Sequence, residues 1–357
     1  MSKGIHNGLL VTLLLAANSF SAKPSRSGGE EQLLGWPTNS IQKLDYGVLL
    51  EMEGFASRIG GENQSDLVVA TVAFDLEMAV NDWMLGHVGV LWEQNSREDD
   101  NLDEAYLAFG ASETIPYYLI AGRFYQPVGN FESAFISDPL TLELMEMNRT
   151  AGMVGYANFW IDVNVGAFNG DTKKGVASGD GGDTTISDFY ASASIIPSEQ
   201  VKVGAYWLSD LMETYNYGDI GEDIADQPGY EKVGAAGIFA NAYLGRFTLN
   251  AEYATALEHY KLGSGQYRPM AFNLEGSVLL HEKVTVGLKY EASEDLYAAY
   301  NRTLAQYGDK LPGQAYGAVV ACQFLEYATM AVEYMHLEEL NDGARGDLIT
   351  VQVGLEF

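Results

Sequence analysis

Eleven carboxylates recur at alternating positions within otherwise apolar segments: Glu51, Glu53, Asp75, Glu77, Glu93, Glu104, Asp162, Glu252, Glu275, Glu291 and Glu333. Three bases share the pattern: Arg123, Lys202 and Lys289. Carboxylates can act as general acids and bases, ligate metals, or set the charge of an ion path. The histidines argue against catalysis. There are five, His6, His87, His259, His281 and His336, and none lies beside a nucleophile motif. Gly-x-Ser-x-Gly is absent and no histidine pair has metal-ligand spacing, so the chain is read as not an enzyme and as carrying no cofactor. A second acidic group falls between the apolar segments, at Asp171, Asp180, Asp183 and Asp188 and again at Asp210, Glu213, Asp219, Glu222, Asp223, Asp226 and Glu231. Clustered carboxylates suit calcium, but solvated acidic loops are the favoured explanation, and Asp180 and Asp183 are weak ligand candidates.

The elements that must position these side chains are strands. From residue 41 the chain alternates apolar and polar with a period of two, which places successive side chains on opposite faces of a strand. The pattern predicts strands at 41–55, 66–80, 83–94, 102–111, 117–127, 149–157, 159–168, 187–196, 200–209, 231–244, 246–257, 268–280, 283–292, 314–325, 327–336 and 347–357. The connections alternate strictly between two kinds. Short ones fall at Asn81-Asp82, Ser112 to Pro116, Asn158, Pro197 to Glu199, Gly245, His281-Glu282 and Glu326, and long ones centre near residues 60, 97, 138, 178, 220, 263, 303 and 342. That alternation belongs to an up-and-down barrel. The expected fold is all-β: a 16-stranded antiparallel transmembrane β-barrel with eight long extracellular loops and short periplasmic turns.

Three features place the apolar face outward. Aromatic residues border the short turns at Trp83, Tyr117, Tyr118, Phe159, Trp160, Phe247 and Tyr327, as a lipid-interface girdle does. The mid-strand acids are too many for a dry core, where each unpaired carboxylate costs several kcal/mol, and a water-filled lumen accommodates them. The last strand alternates Ile349, Val351, Val353, Leu355 and Phe357 with polar residues and stops on an aromatic. Such an ending suits recognition of Phe357 by the barrel-assembly machinery.

Lys3, the apolar run Gly8 to Ala17 and the small residues Ser19, Ser21 and Ala22 read as a signal peptide over 1–22, followed by a short periplasmic segment at 23–40 and the barrel at 41–357. Cys322 is the single cysteine, so no intrachain disulfide is available. With 49 acids against 20 bases the formal charge is -29, which excludes nucleic acid as a partner.

The third long connection, Pro127 to Leu144, breaks the rule that exposed loops are polar. It carries Phe131, Phe135, Ile136, Leu140, Leu142 and Leu144, which need cover, and the barrel interior supplies it. The loop is therefore expected to fold inward and narrow the pore, with Arg123, Phe131, Glu132, Phe135, Asp138 and Glu143 as constriction or ligand residues.

At this loop the chain resembles the siderophore porins, the family typified by the Legionella legiobactin-uptake outer-membrane porin. The residues that carry the resemblance are Gly122-Arg123, Pro127, Gly129, Phe131, the run Ile136 to Leu144, and Phe168 to Asp171. Met145-Glu146 departs from the Gly-Glu common in the family, and 23–40 is too short for its coiled-coil segment. The resemblance implies a 16-stranded porin of the bacterial outer membrane linked to ferric-siderophore uptake. The residues themselves raise a competing expectation, because eleven lumen acids against three bases favour cations. An anionic siderophore would need Arg123, Lys202 and Lys289 to form a local basic track. A general cation-preferring diffusion porin is the alternative, and a structural or adhesive outer-membrane barrel is the second. The expected surroundings are outer-membrane lipid and lipopolysaccharide, a small solute in the lumen, and a homotrimer if apolar outer residues such as Leu107 and Phe109 pack against a neighbour.

Overall fold

A computed structural model describes residues 43–94, 101–112, 115–170, 185–218, 231–262, 265–296, 312–338, 343 and 345–357. The expected signal peptide, the segment at 23–40, and Asp180 and Asp183 lie outside these residues.

The chain forms β1 (Lys43–Ile59), β2 (Glu62–Asn81), β3 (Met84–Trp92), β4 (Leu102–Ser112), β5 (Ile115–Tyr125), the short helix α1 (Leu140–Met145), β6 (Asn148–Ala157), β7 (Ile161–Phe168), β8 (Asp188–Ser198) and β9 (Val201–Leu208). It continues through β10 (Ala235–Leu244), β11 (Phe247–Ala256), a small loop hairpin of β12 (Tyr260–Leu262) and β13 (Gly265–Tyr267), then β14 (Met270–His281), β15 (Val284–Glu294), β16 (Gln314–Leu325), β17 (Ala328–Glu338) and β18 (Gly346–Glu356). Sixteen of these strands, all except β12 and β13, make one closed antiparallel barrel in which each strand pairs with its neighbours in sequence and β1 pairs with β18. Closure leaves no strand edge exposed. Phe357 completes the seam by exchanging backbone hydrogen bonds with Val48 at 3.0 and 3.1 Å. No helix among the described residues is long and apolar enough to cross a membrane.

The barrel is inside-out relative to a soluble protein. Leu50, Met52, Phe74, Leu249, Leu288, Val351 and Val353 lie exposed on its outer face, while Glu51, Glu53, Glu252, Glu275, Glu291 and Glu333 are buried on the inner one. Trp83, Tyr117, Phe159, Trp160, Phe247 and Tyr327 are exposed beside the short turns, as the girdle requires. Tyr118 departs from it. Its side chain is buried inside, and its hydroxyl donates to Asp162 at 2.9 Å.

Two local corrections concern the first hairpin. The expected long loop near residue 60 is the two-residue turn Gly60-Gly61, with φ of 59° and 90°, between Ile59 and its partner Glu62. Two adjacent glycines reach the left-handed region without strain, so the strands run on to a tight turn. The strict alternation expected from Val68 to Met78 is broken at Ala70: Glu51 pairs with Thr71 and Met52 with Val69. This bulge brings Ala70 and Thr71 both inside and inverts the faces of the residues before them.

Candidate functional site

The lumen is organised by the segment between β5 and β6. It leaves β5, crosses to the opposite side of the barrel and is fixed there by carboxylates of four strands. Glu252 of β11 accepts from the Asn130 amide at 3.0 Å, the Thr141 hydroxyl at 3.2 Å and the Tyr206 hydroxyl at 2.9 Å. Glu275 of β14 accepts from the Ala134 amide at 2.6 Å and the Ser133 hydroxyl at 2.7 Å. Glu291 of β15 accepts from the Leu140 amide at 2.8 Å, and Glu333 of β17 from the Ile136 and Ser137 amides at 2.7 and 3.0 Å. An irregular loop has backbone N–H groups with no secondary-structure partner, and burying them demands acceptors. Ionised carboxylates are the strongest available.

Lys289 supplies the complementary contact. Its Nζ donates to the Ser137 carbonyl at 2.8 Å, lies 3.7 Å from Glu291, and sits 4.9 Å above the centre of the Phe135 ring. The apolar side of the loop packs in two places. Phe135 meets Ala315, Val319 and Met335, whereas Phe131, Leu140, Leu142, Leu144 and Met145 join a core that includes Tyr106, Phe124, Leu211, Met212 and Tyr217. Asn216 donates to both the carbonyl and the carboxylate of Glu143, tying the connection after β9 onto α1. Glu132 accepts from the Tyr243 hydroxyl, and Asp138 is half-buried near the loop tip.

The inward loop is thus as expected, but several residues assigned to the constriction do other work. Phe131 and Phe135 are packing anchors buried against the wall. Glu143 joins two loops. Arg123 pairs with Ala105 and Thr150, and it shares the outward face of Leu119 and Ala121. It therefore cannot belong to a basic track in the lumen. Of the other two bases, Lys289 is committed to the loop, and Lys202 faces inward with its Nζ 5.4 Å from the centre of the Phe239 ring. Glu252, Glu275, Glu291 and Glu333, read as water-facing charges, are loop anchors instead.

What remains facing the pore is the part of the wall that carries no loop anchor. β18, β1, β2, β3 and β4 are contiguous in the ring. Glu51, Glu53, Asp75, Glu77 and Glu104 lie on their inner face, Asp75 and Glu77 half-buried and the other three buried, and Gln352 donates to Glu53 at 2.8 Å. Glu93 follows the end of β3, and Asp162 belongs to β7, where Tyr118 holds it. Across these five strands the only lysine or arginine residues are Lys43 and Arg58, near the two ends of β1. Lys43 lies 2.5 Å from Asp45.

A loop folded into the interior of a closed barrel with an apolar exterior decides the architecture. The chain has the fold of an outer-membrane porin. Among solved structures it is similar to Salmonella typhi OmpF in complex with daunomycin, with a TM-score of 0.62 and 13% identity over 90% of this chain and 99% of that one. It is also similar to Vibrio cholerae OmpT, an outer membrane protein, with a TM-score of 0.54 and 11% identity over 89% and 99% of the two chains. Pseudomonas putida OprB gives a TM-score of 0.53 and 10% identity over 88% and 94%. No family model matches the chain. Among curated proteins, a UPF0422 protein of Coxiella burnetii is 21% identical over 86% of this chain and 67% of its own length. A UPF0422 protein of Legionella pneumophila is 20% identical over 82% of this chain. The chain spans 62% of the length of that relative.

Asp188, Asp210 and Glu213, part of the acidic group noted in the sequence, are buried with carboxylate oxygens within 4.8 Å of one another. Lys232 lies 2.6 Å from Asp188 and Arg149 lies 3.4 Å from Glu213, so cationic side chains already reach the cluster.

Proposed function

We propose that the protein is an outer-membrane porin that passes small solutes by diffusion and prefers cations. One observation carries this reading: the five contiguous strands that carry no loop anchor place five carboxylates on their inner face, and their only two basic residues lie near the ends of β1. In a narrow path with low-dielectric walls, a single sign of charge raises the local concentration of counter-ions and repels co-ions. The loop does not reverse this, because Lys289 is spent on Ser137 and Glu291. For a ferric carboxylate siderophore the same geometry is unfavourable, since Arg123 shares the outward face of β5 and, among the described residues, Lys289 is committed to the loop. Lipid and lipopolysaccharide surround the apolar face in this reading, and Phe357 at the β1–β18 seam is the signal for barrel assembly. Homotrimerisation through the outer faces of β4 and its neighbours fits the trimer form known for Vibrio cholerae OmpT.

Liposome swelling tests the function. Proteoliposomes should swell faster in a small organic cation than in an organic anion of the same size, and a ferric tricarboxylate chelate should neither enter nor block. Equal rates for the two ions, or saturable entry of the chelate, would overturn the reading.

A further inference from the structure

Gly89 of β3 is flanked by Asp75 on β2 and Glu104 on β4, its cross-strand partners on either side. His87, two residues earlier on the same strand, points to the same inner face. Three side chains with metal-ligating atoms therefore converge over a residue that has none. A Cβ built on Gly89 would lie 2.9 Å from Asp75 Oδ1 and 3.4 Å from His87 Nε2. The missing methyl leaves a cradle.

His87 is 2% exposed, and neither of its ring nitrogens has a hydrogen-bond partner. Leaving a buried imidazole unsatisfied costs free energy, so its position asks for a ligand. Nε2 stands 3.6 Å from Asp75 Oδ1 and 3.7 Å from Glu104 Oε2, too far for a hydrogen bond to either. A tetrahedral zinc bound about 2.0–2.2 Å from each ligand atom holds its ligands about 3.4 Å apart, close to the two separations from His87, and binding would draw the Asp75 and Glu104 carboxylates toward each other. The surroundings fix two of the three groups. The imidazole stacks on Tyr106 with ring centres 4.9 Å apart, and Glu104 Oε1 accepts the Tyr125 amide at 3.2 Å, which leaves Oε2 toward His87. Behind them Asp103 accepts from the Tyr125 hydroxyl at 2.9 Å. Asp75, with its side chain 31% exposed, opens the cradle to the lumen and can swing in to close it.

We infer that His87, Asp75 and Glu104 form a binding station for a divalent first-row transition metal on the lumen wall, with water completing the coordination. One imidazole and two carboxylates select such ions over calcium and magnesium, which take oxygen ligands alone. The station does not depend on the proposed ion preference, because binding can be measured on the purified barrel without any current.

The test is zinc titration of the detergent-solubilised, folded barrel in excess magnesium, read by competition with a chromophoric chelator and checked with cobalt absorption. A single saturable site is expected. It should be abolished in His87→Ala and in Gly89→Ala, which fills the cradle, and retained in Asp188→Asn, which alters the other acidic cluster. Circular dichroism and heat-modifiable migration establish that each variant is folded. Absence of a saturable site, or zinc affinity unchanged in folded His87→Ala, would show that the three residues form only an ion pair and would overturn the inference. Cation preference in bilayers without zinc affinity would overturn this inference alone.

Discussion

Replacing Glu275 and Glu333 together by alanine should release the tip of the inward loop and raise single-channel conductance about two- to threefold, with added open-channel noise. The two carboxylates accept four donors, from Ser133, Ala134, Ile136 and Ser137, and both are 1% exposed. Their removal leaves the buried Ile136 amide without an acceptor, at about 1–3 kcal/mol, and the three part-buried donors at a smaller cost each that water relieves once the tip moves out. Against this stands the burial of Phe135 and Ile136, about 1.5–3 kcal/mol apiece. The two sides are of similar size, and the removal of the acceptors for all four donors is expected to tip the balance so that the loop tip moves to water. Glutamine at both positions keeps acceptor oxygens in place and should hold conductance near that of the native barrel. Native conductance in the folded alanine variant would show that packing alone seats the loop.

Leu288→Arg is expected to abolish stable insertion. Leu288 lies near the middle of β15, points outward and is 67% exposed, the setting of a lipid-facing residue near mid-membrane. An arginine there costs about 2–4 kcal/mol, falling toward zero near the interfaces. Exchanging the neighbouring inner residue tests the same assignment in reverse, since Lys289→Leu removes the charge that holds Ser137 but leaves the lipid face intact. The first variant should fail to resist heat and detergent, and the second should insert and alter conductance. If Leu288→Arg folded normally, the assignment of faces would be wrong.

Most of the barrel is legible in the sequence because period-two alternation is a direct image of strand geometry, and β16 begins and ends where alternation places it, at Gln314–Leu325. The inward loop is legible for a different reason: six apolar residues in one connection demand cover. What sequence cannot deliver follows from that cover. Where the loop's apolar core packs, the inner face of β5 is apolar, so Tyr118, Ile120 and Phe124 face inward and Arg123, at the odd position between them, shares the outward face. Polarity ceases to mark the face wherever the interior is protein and not water. The anchors were hidden similarly, because a glutamate that accepts a backbone amide and one that faces water occupy the same alternating position. Ala70 shows a third limit. Nothing in Val-Val-Ala-Thr announces the extra residue, since a bulge is set by pairing with β1. The metal cradle was visible only in part. His87 reads as lumenal, but its convergence with Asp75 and Glu104 depends on register across three strands.

The central claim is that the free wall of the pore is acidic and sets its selectivity. Its most direct test is the zero-current potential across a potassium chloride gradient for the native barrel and for the variant carrying Glu51→Gln, Glu53→Gln, Asp75→Asn and Glu77→Gln. The native channel should favour potassium over chloride on the order of tenfold, and the variant should fall to a ratio of about one to two. A native channel that favours chloride, or a variant that keeps the full potassium preference, would contradict the account.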